Sequence, residues 1–256
     1  MSRSTEALRG ARILVTGASG GIGAATCRAL SQAGALPVAA DLAGSEQERV
    51  AEESVVLDVT DDDGVLDVVS GLGPLDGLVL SHGVTSLGPA ETTPMSAVDR
   101  VLAVNLRGAI SVTQAALPGL LRQRGRLAVL SSVSGFSPLV HRTSYAASKH
   151  GIHGYFDSLR AEVADRGVSV TIVAPSFVAT GIEERAAFRA DGRAGSWSTT
   201  GAVLRPDDVA QAIVTGMARR RRLVLPSRTA RAAYALSRVA PALYEQTMRA
   251  RVLREG

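Results

Sequence analysis

Residues 11–25 read ARILVTGASGGIGAA, and the order of events within them decides the fold. A short apolar run comes first. A glycine cluster follows, and a helical stretch, AATCRALSQAG, opens at residue 24. Gly17, Gly21 and Gly23 are spaced G-x-x-x-G-x-G. Glycine lets a chain turn tightly and approach a ligand with no Cβ in the way. The helix start then presents unpaired N–H groups and a positive dipole end, which suit a diphosphate. A plain tight turn would use the same glycines, but the position between strand and helix favours a nucleotide site.

Further along, strands and helices alternate. ALPVAAD, SVVLDV, LDGLVLS, GRLAVLSS, GVSVTIVAP and RRLVLPS read as six more strands, with helical periodicity at about 94–122, 144–166 and 206–218. Short apolar strands without polar alternation suit a sheet covered on both faces. The expected fold is α/β, a Rossmann-type doubly wound parallel sheet of about seven strands. A single domain is expected over 1–256, with a core at about 10–226. The irregular stretch 181–204 interrupts the pattern, and a loop that long is usually functional or disordered. An amphipathic tail follows from about 227 to 256.

Composition narrows the function. The 256 residues are 46% hydrophobic and 20% charged, a globular balance. Cys27 is the single cysteine, which excludes an internal disulfide framework and fits a reducing cytoplasm. The first residues lack the apolar core of a signal peptide, and no apolar run is long enough to span a bilayer. A cytoplasmic protein is therefore expected. The net charge of +4 is small, and part of it sits in the run Arg219–Arg222. Aromatic residues are only 4%, so stacking platforms for single strands are scarce. No nucleic-acid partner is expected.

Asp41 closes the second strand, where a carboxylate can accept hydrogen bonds from both hydroxyls of an adenosine ribose. It would repel a 2′-phosphate, and Gly20 offers no cation there. NAD is expected over NADP, although a polar strand-end residue needs no ligand. Asp58, at the end of the third strand, is placed either for an adenine amino group or to cap the next helix. Of the 28 cationic residues, 27 are Arg and one is Lys149. Lys149 follows Tyr145 by four positions, which puts both on one face of a helix. A cation close to a tyrosine lowers its pKa towards the range of a useful acid/base. A compact ammonium reaches both a tyrosine and ribose hydroxyls better than a wide guanidinium does.

TGASGGIG, VNLRG, LSSVSG and SYAASK occur in that order, each at a strand end or on a following helix. This set resembles the short-chain dehydrogenase/reductase family over about residues 10–226. The resemblance implies a catalytic group of Asn105, Ser132, Tyr145 and Lys149. Tyr145 would be the acid/base and Lys149 its partner. Ser132, rather than its neighbour Ser131, would hold the substrate oxygen, and Asn105 would link Lys149 to a proton relay. The implied cofactor contacts are Gly17, Ser19, Gly21, Ile22, Gly23, Asp41, Asp58, Val59, Gly83, Asn105, Tyr145, Lys149, Pro175, Val178 and Thr180. No metal is implied, and His141, His150 and His153 lack acidic or cysteine partners at ligand spacing.

Two departures from the family pattern stand out. The usual N-N-A-G is LSHG at residues 80–83, which retains Gly83 and loses both asparagines. Altered local hydrogen bonding is expected there, with His82 structural rather than catalytic. The usual P-G-x-V-x-T is PSFVAT at 175–180, and Ser176 in place of Gly is expected to narrow the nicotinamide pocket.

Residues 181–204 would form a substrate lid in which Phe188 and Trp197 pack either on an apolar ligand or into the protein. The basic tail, broken at Pro241, has three possible resting places: a membrane surface, a partner subunit or the substrate mouth. The partner or the mouth is favoured. It resembles the tails of family members acting on steroids, retinoids or other lipophilic alcohols. The expected activity is hydride transfer between NAD(H) and a secondary alcohol/ketone pair, in a homotetramer or dimer. NADP-dependent carbonyl reduction, epimerase or dehydratase chemistry and a non-catalytic dinucleotide sensor are the rivals.

Overall fold

In the computed structural model, which describes residues 5–44, 50–183, 186–190 and 202–252, the apolar runs of the sequence are strands, buried at the centre of the sheet and partly exposed at its two edges. They are β1 (Arg12–Thr16), β2 (Leu36–Asp41), β3 (Glu53–Val56), β4 (Gly77–Leu80), β6 (Arg126–Leu130), β7 (Ser169–Val173) and β9 (Leu223–Val224). Two short strands, β5 (Ser86–Leu87) and β8 (Phe188–Arg189), pair apart from the rest. The seven form one parallel sheet in the order β3-β2-β1-β4-β6-β7-β9. Both faces are covered, which explains the missing polar alternation. Leu14, Val38, Leu78, Leu127 and Ile172 point into one core, and Ile13, Val15, Ala39, Val79 and Ala128 into the other.

Helices α1 (Gly21–Gln32) and α6 (Pro206–Ala218) cover the second face. On the first lie α2 (Asp62–Gly71), α4 (Gly108–Gln123) and α5 (Thr143–Val163), and α3 (Met95–Leu102) packs against α5. The strand order turns back between β1 and β4, whose ends Thr16 and Leu80 are partners in register. Open parallel sheets bind ligands beyond the carboxyl ends of the strands at such a switch point. Both the glycine turn and Ser81–Gly83 emerge there.

Several elements differ from the sequence reading. A helix after the third strand was expected, but without bounds, because in α2 only Val65 and Val69 are buried and the apolar stripe is thin. Its start is set by charge instead: Asp61 caps it by accepting from Gly64 N, with Asp62 and Asp63 in the first turn. The single helix expected at 94–122 is broken by a π turn at Ala103–Arg107. The third strand ends at Val56, so Asp58 lies two residues beyond it.

Part of the expected lid is a strand: β8 pairs with β5, and Phe188 packs on Gly88, whose absent Cβ would stand 2.9 Å from the ring. Trp197 lies outside the described residues. Pro241 does separate two tail helices, α7 (Arg228–Val239) and α8 (Pro241–Val252). The tail packs on its own domain. Tyr234 meets Phe136 edge-on at 5.0 Å, and Ser137 donates to the buried Tyr244 hydroxyl at 3.2 Å. No described helix is long and apolar enough to cross a membrane.

Candidate active site

Backbone geometry makes the glycine turn. Gly17 has φ +67°, and a Cβ there would stand 2.6 Å from the His82 Cα. Only glycine lets the turn lie against the end of β4. A Cβ on Gly23 would overlap the Gly17 carbonyl oxygen, whereas one on Gly21 would meet nothing closer than Thr180 Cα at 3.4 Å. Gly23→Ala is therefore expected to lower the melting temperature by several degrees, from a clash of about 1–3 kcal/mol. Gly21→Ala should leave it unchanged. Equal melting of the two variants in calorimetry would refute this account of the turn.

Helix α1 begins after Gly20 with no side-chain cap, so its first N–H groups face the cleft for an anion. Asp41 closes over the turn, its Oδ2 accepting from Ser19 N at 2.8 Å and its Oδ1 from Leu42 N at 2.9 Å. Ser19 thus acts through its N–H; its hydroxyl is buried with no partner among the described residues and lines neither cleft. Asp58 is not the cap of α2. Its Oδ1 accepts from the backbone N and hydroxyl of Thr60 at 2.9 and 2.7 Å, and these bonds hold its carboxyl below the usual range.

The altered LSHG segment ties β4 to β1. Ser81 Oγ donates to the Thr16 carbonyl at 2.6 Å, and His82 Nδ1 lies 2.6 Å from Thr16 Oγ1. Burial, with Lys149 nearby, pushes the imidazole down to about 3, so His82 is neutral. Gly83 leaves a gap bounded by Asn105 and Lys149: an added Cβ would lie 3.2 Å from Asn105 Oδ1 and 3.9 Å from Lys149 Nζ.

Asn105 sits in the π turn, a local widening that often marks functional sites. Its side chain is buried and its amide fully employed. Oδ1 accepts from Val84 N at 2.8 Å, while Nδ2 donates to Val84 O at 2.9 Å and Ser148 Oγ at 3.0 Å. Ser148 in turn donates to the Tyr145 carbonyl at 2.7 Å. Sequence reasoning missed Ser148, although it stands immediately before Lys149. Val59 reaches the site because Gly108 has no Cβ to meet it.

Helix α5 brings Tyr145 and Lys149 to one face, with Nζ 5.6 Å from the ring centroid. Lys149 is 4% exposed and donates to the Leu130 carbonyl at 2.9 Å. Burial pushes its ammonium down to about 8. The expected lowering of the Tyr145 pKa is not what these protein groups produce. Burial raises it, and the charge of Arg142 and a hydrogen bond with Ser132 oppose the rise. Ser132 accepts from Ser134 N at 3.2 Å in the turn after β6. The Ser131 hydroxyl is buried instead, facing Gly135.

Two clefts meet at Tyr145. One, of about 360 Å³, is lined by Gly17, Gly21, Ile22, Gly23, Asp41, Asp58, Val59, Gly83, Lys149 and Thr180. The other, of about 400 Å³, is lined by Ser132, Pro175, Val178 and Arg142, among others. Ile22, Leu130, Tyr145, Thr180 and Ile182 belong to both. The Ser176 hydroxyl is 2.8 Å from that of Ser227, which caps α7. Of the histidines, His150 is exposed, but His153 lies under Phe136 and beside Gly135, and burial pushes it down to about 4.

Comparison with known proteins agrees with this geometry. The family model for short chain dehydrogenases matches residues 11–189. A dehydrogenase/reductase SDR family protein 7-like of Anopheles gambiae is 32% identical, with 97% of this chain and 85% of the relative covered. The 3-oxoacyl-(acyl-carrier-protein) reductase FabG of Thermotoga maritima is 34% identical, covering 81% and 90%. Dehydrogenase/reductase SDR family member 7B of Bos taurus is 28% identical, covering 97% and 83%. An uncapped helix start on a glycine turn, two clefts joined at a tyrosine and these matches have one explanation: the chain belongs to the short-chain dehydrogenase family, oxidoreductases that act on small molecules with NAD or NADP.

Proposed function

We propose that this protein interconverts a secondary alcohol and a ketone with NAD(H), using Tyr145 as the acid/base. The observation that carries this reading is the place of Tyr145 at the junction of two clefts, with buried Lys149 on the same helix face. The dinucleotide, when bound in the cleft beyond the glycine turn, supplies or accepts the hydride. The Tyr145 hydroxyl gives or takes the proton at the substrate oxygen, and Ser132 holds that oxygen. Lys149 sets the local positive charge and reaches ribose hydroxyls. Asn105, facing Lys149 across the gap at Gly83, joins it to the proton relay. Pro175, Val178 and Thr180 hold the nicotinamide end.

A ketone is supported by the Thermotoga maritima relative, which is named for a 3-oxoacyl substrate. Leu139, Phe177 and Val203 line the second cleft and suit an apolar body. The accompanying proposals are a cytoplasmic location and a homodimer or tetramer packed through α4 and α5.

The preference for NAD rests on Asp41, held at the end of β2 by Ser19 N and Leu42 N. A 2′-phosphate about 4 Å away would meet repulsion of up to about 4 kcal/mol. NADH is expected to bind at least about tenfold tighter than NADPH in side-by-side calorimetry. In Asp41→Asn the difference should shrink to about threefold or less. Equal affinities in the wild type would remove the role given to Asp41.

A further inference from the structure

The second cleft is lined by three charged residues, Arg142, Glu183 and Arg189, and its apolar walls do not explain them. Arg142 immediately precedes α5, three residues before Tyr145, and is 7% exposed. Its guanidinium pairs with the carboxylate of Glu183, which comes from the far side of the cleft after Thr180. A buried guanidinium left without an anion costs several kcal/mol, so some carboxylate has to be there.

The two partners are held differently. Arg142 is fixed at the start of a 21-residue helix. The Glu183 side chain is 29% exposed, and its main chain is pinned separately, because Arg189 Nη1 donates to the Glu183 carbonyl at 2.7 Å. The Glu183 carboxylate can therefore leave while the backbone stays. Arg142 and Tyr145 line the same cleft, so one ligand can present an anion to Arg142 and a carbonyl to Tyr145.

We infer that Glu183 is an internal stand-in for a carboxylate of the substrate, and that Arg142 is the residue that binds this group. The substrate class is then an apolar oxo acid, or the matching hydroxy acid. Exchange of one carboxylate for another keeps the guanidinium paired throughout, and its planar fork suits either one. A neutral ligand of the same shape leaves the pair closed and gains nothing from Arg142. This inference rests on reading the second cleft as the substrate site.

Octanoate and octanamide, titrated calorimetrically with and without NADH, test it. Wild-type protein is expected to bind octanoate at least about tenfold tighter than octanamide. Glu183→Gln removes the internal competitor, so octanoate should tighten about threefold or more while octanamide stays within about twofold. Arg142→Gln should abolish the preference. Equal binding of the two compounds, binding of neither, or weaker octanoate binding by Glu183→Gln overturns the proposal, and marks the pair as a fixed latch. Failure to bind NADH and NADPH in the same experiment would defeat the oxidoreductase reading instead, while the titrations without cofactor still report on Arg142.

Discussion

Replacing Tyr145 with Phe is expected to lower turnover by about 10²–10⁴-fold, the usual contribution of a positioned acid/base. Dinucleotide affinity should stay within about twofold. The ring that lines both clefts remains, and only the hydroxyl is lost. The glycine turn, Asp41 and Lys149 are untouched. The wild-type pH profile carries a second sign. Burial raises the phenol, so the neutral form predominates at pH 7 and is ready to donate a proton to a carbonyl oxygen. Ketone reduction should run flat through neutral pH and fall only in alkali, while alcohol oxidation rises with pH. A Tyr145→Phe protein that binds NADH and turns over like wild type would end the assignment of Tyr145.

Lys149→Met is expected to produce a more stable and far less active protein. Burial of Lys149 pushes its ammonium from 10.5 down to about 8. At about 1.4 kcal/mol per pKa unit, the buried charge costs the fold on the order of 3 kcal/mol at neutral pH. Losing the hydrogen bond to the Leu130 carbonyl returns about 1 kcal/mol of that. A net gain of about 2 kcal/mol should raise the melting temperature by about 4–8 °C at pH 7. The folded-state pKa lies below the unfolded one, so the penalty is complete below about pH 8 and vanishes above about 10.5. The stability advantage of Lys149→Met should therefore shrink across that window. Turnover should fall about 10²-fold or more. A variant that melts below wild type at pH 7 would show that Lys149 is a structural tie and not a tolerated cost.

What the sequence made legible was local along the chain. Gly17, Gly21 and Gly23 fall within one turn, and Tyr145 and Lys149 within one turn of helix, so spacing alone brings them together. The parallel sheet followed from strands too apolar to have a wet face. The hidden parts depend on partners far apart in sequence. Thr16 and His82 meet across the switch point, Asn105 reaches Val84 and Ser148, and Arg142 finds Glu183. Nothing in the spacing of those residues signals the contact. The π turn was equally hidden, because VNLRG reads as ordinary helix until its partners are known. The bounds of helix α2 escaped because capping and charge, not an apolar stripe, define them.

The clasp between Ser137 and Tyr244 sets an order of completion during synthesis. A nascent chain emerges from its N-terminus, and early segments can fold before later ones exist. Every strand of the sheet has been made by residue 224, and the glycine turn much earlier. Phe136 and Ser137, just past the turn that carries Ser132, wait for Tyr234 and Tyr244 from α7 and α8. A growing chain of this protein thus has its glycine turn and sheet made while the ground under Ser132 is still open, and that ground closes only after residue 244 has left the ribosome.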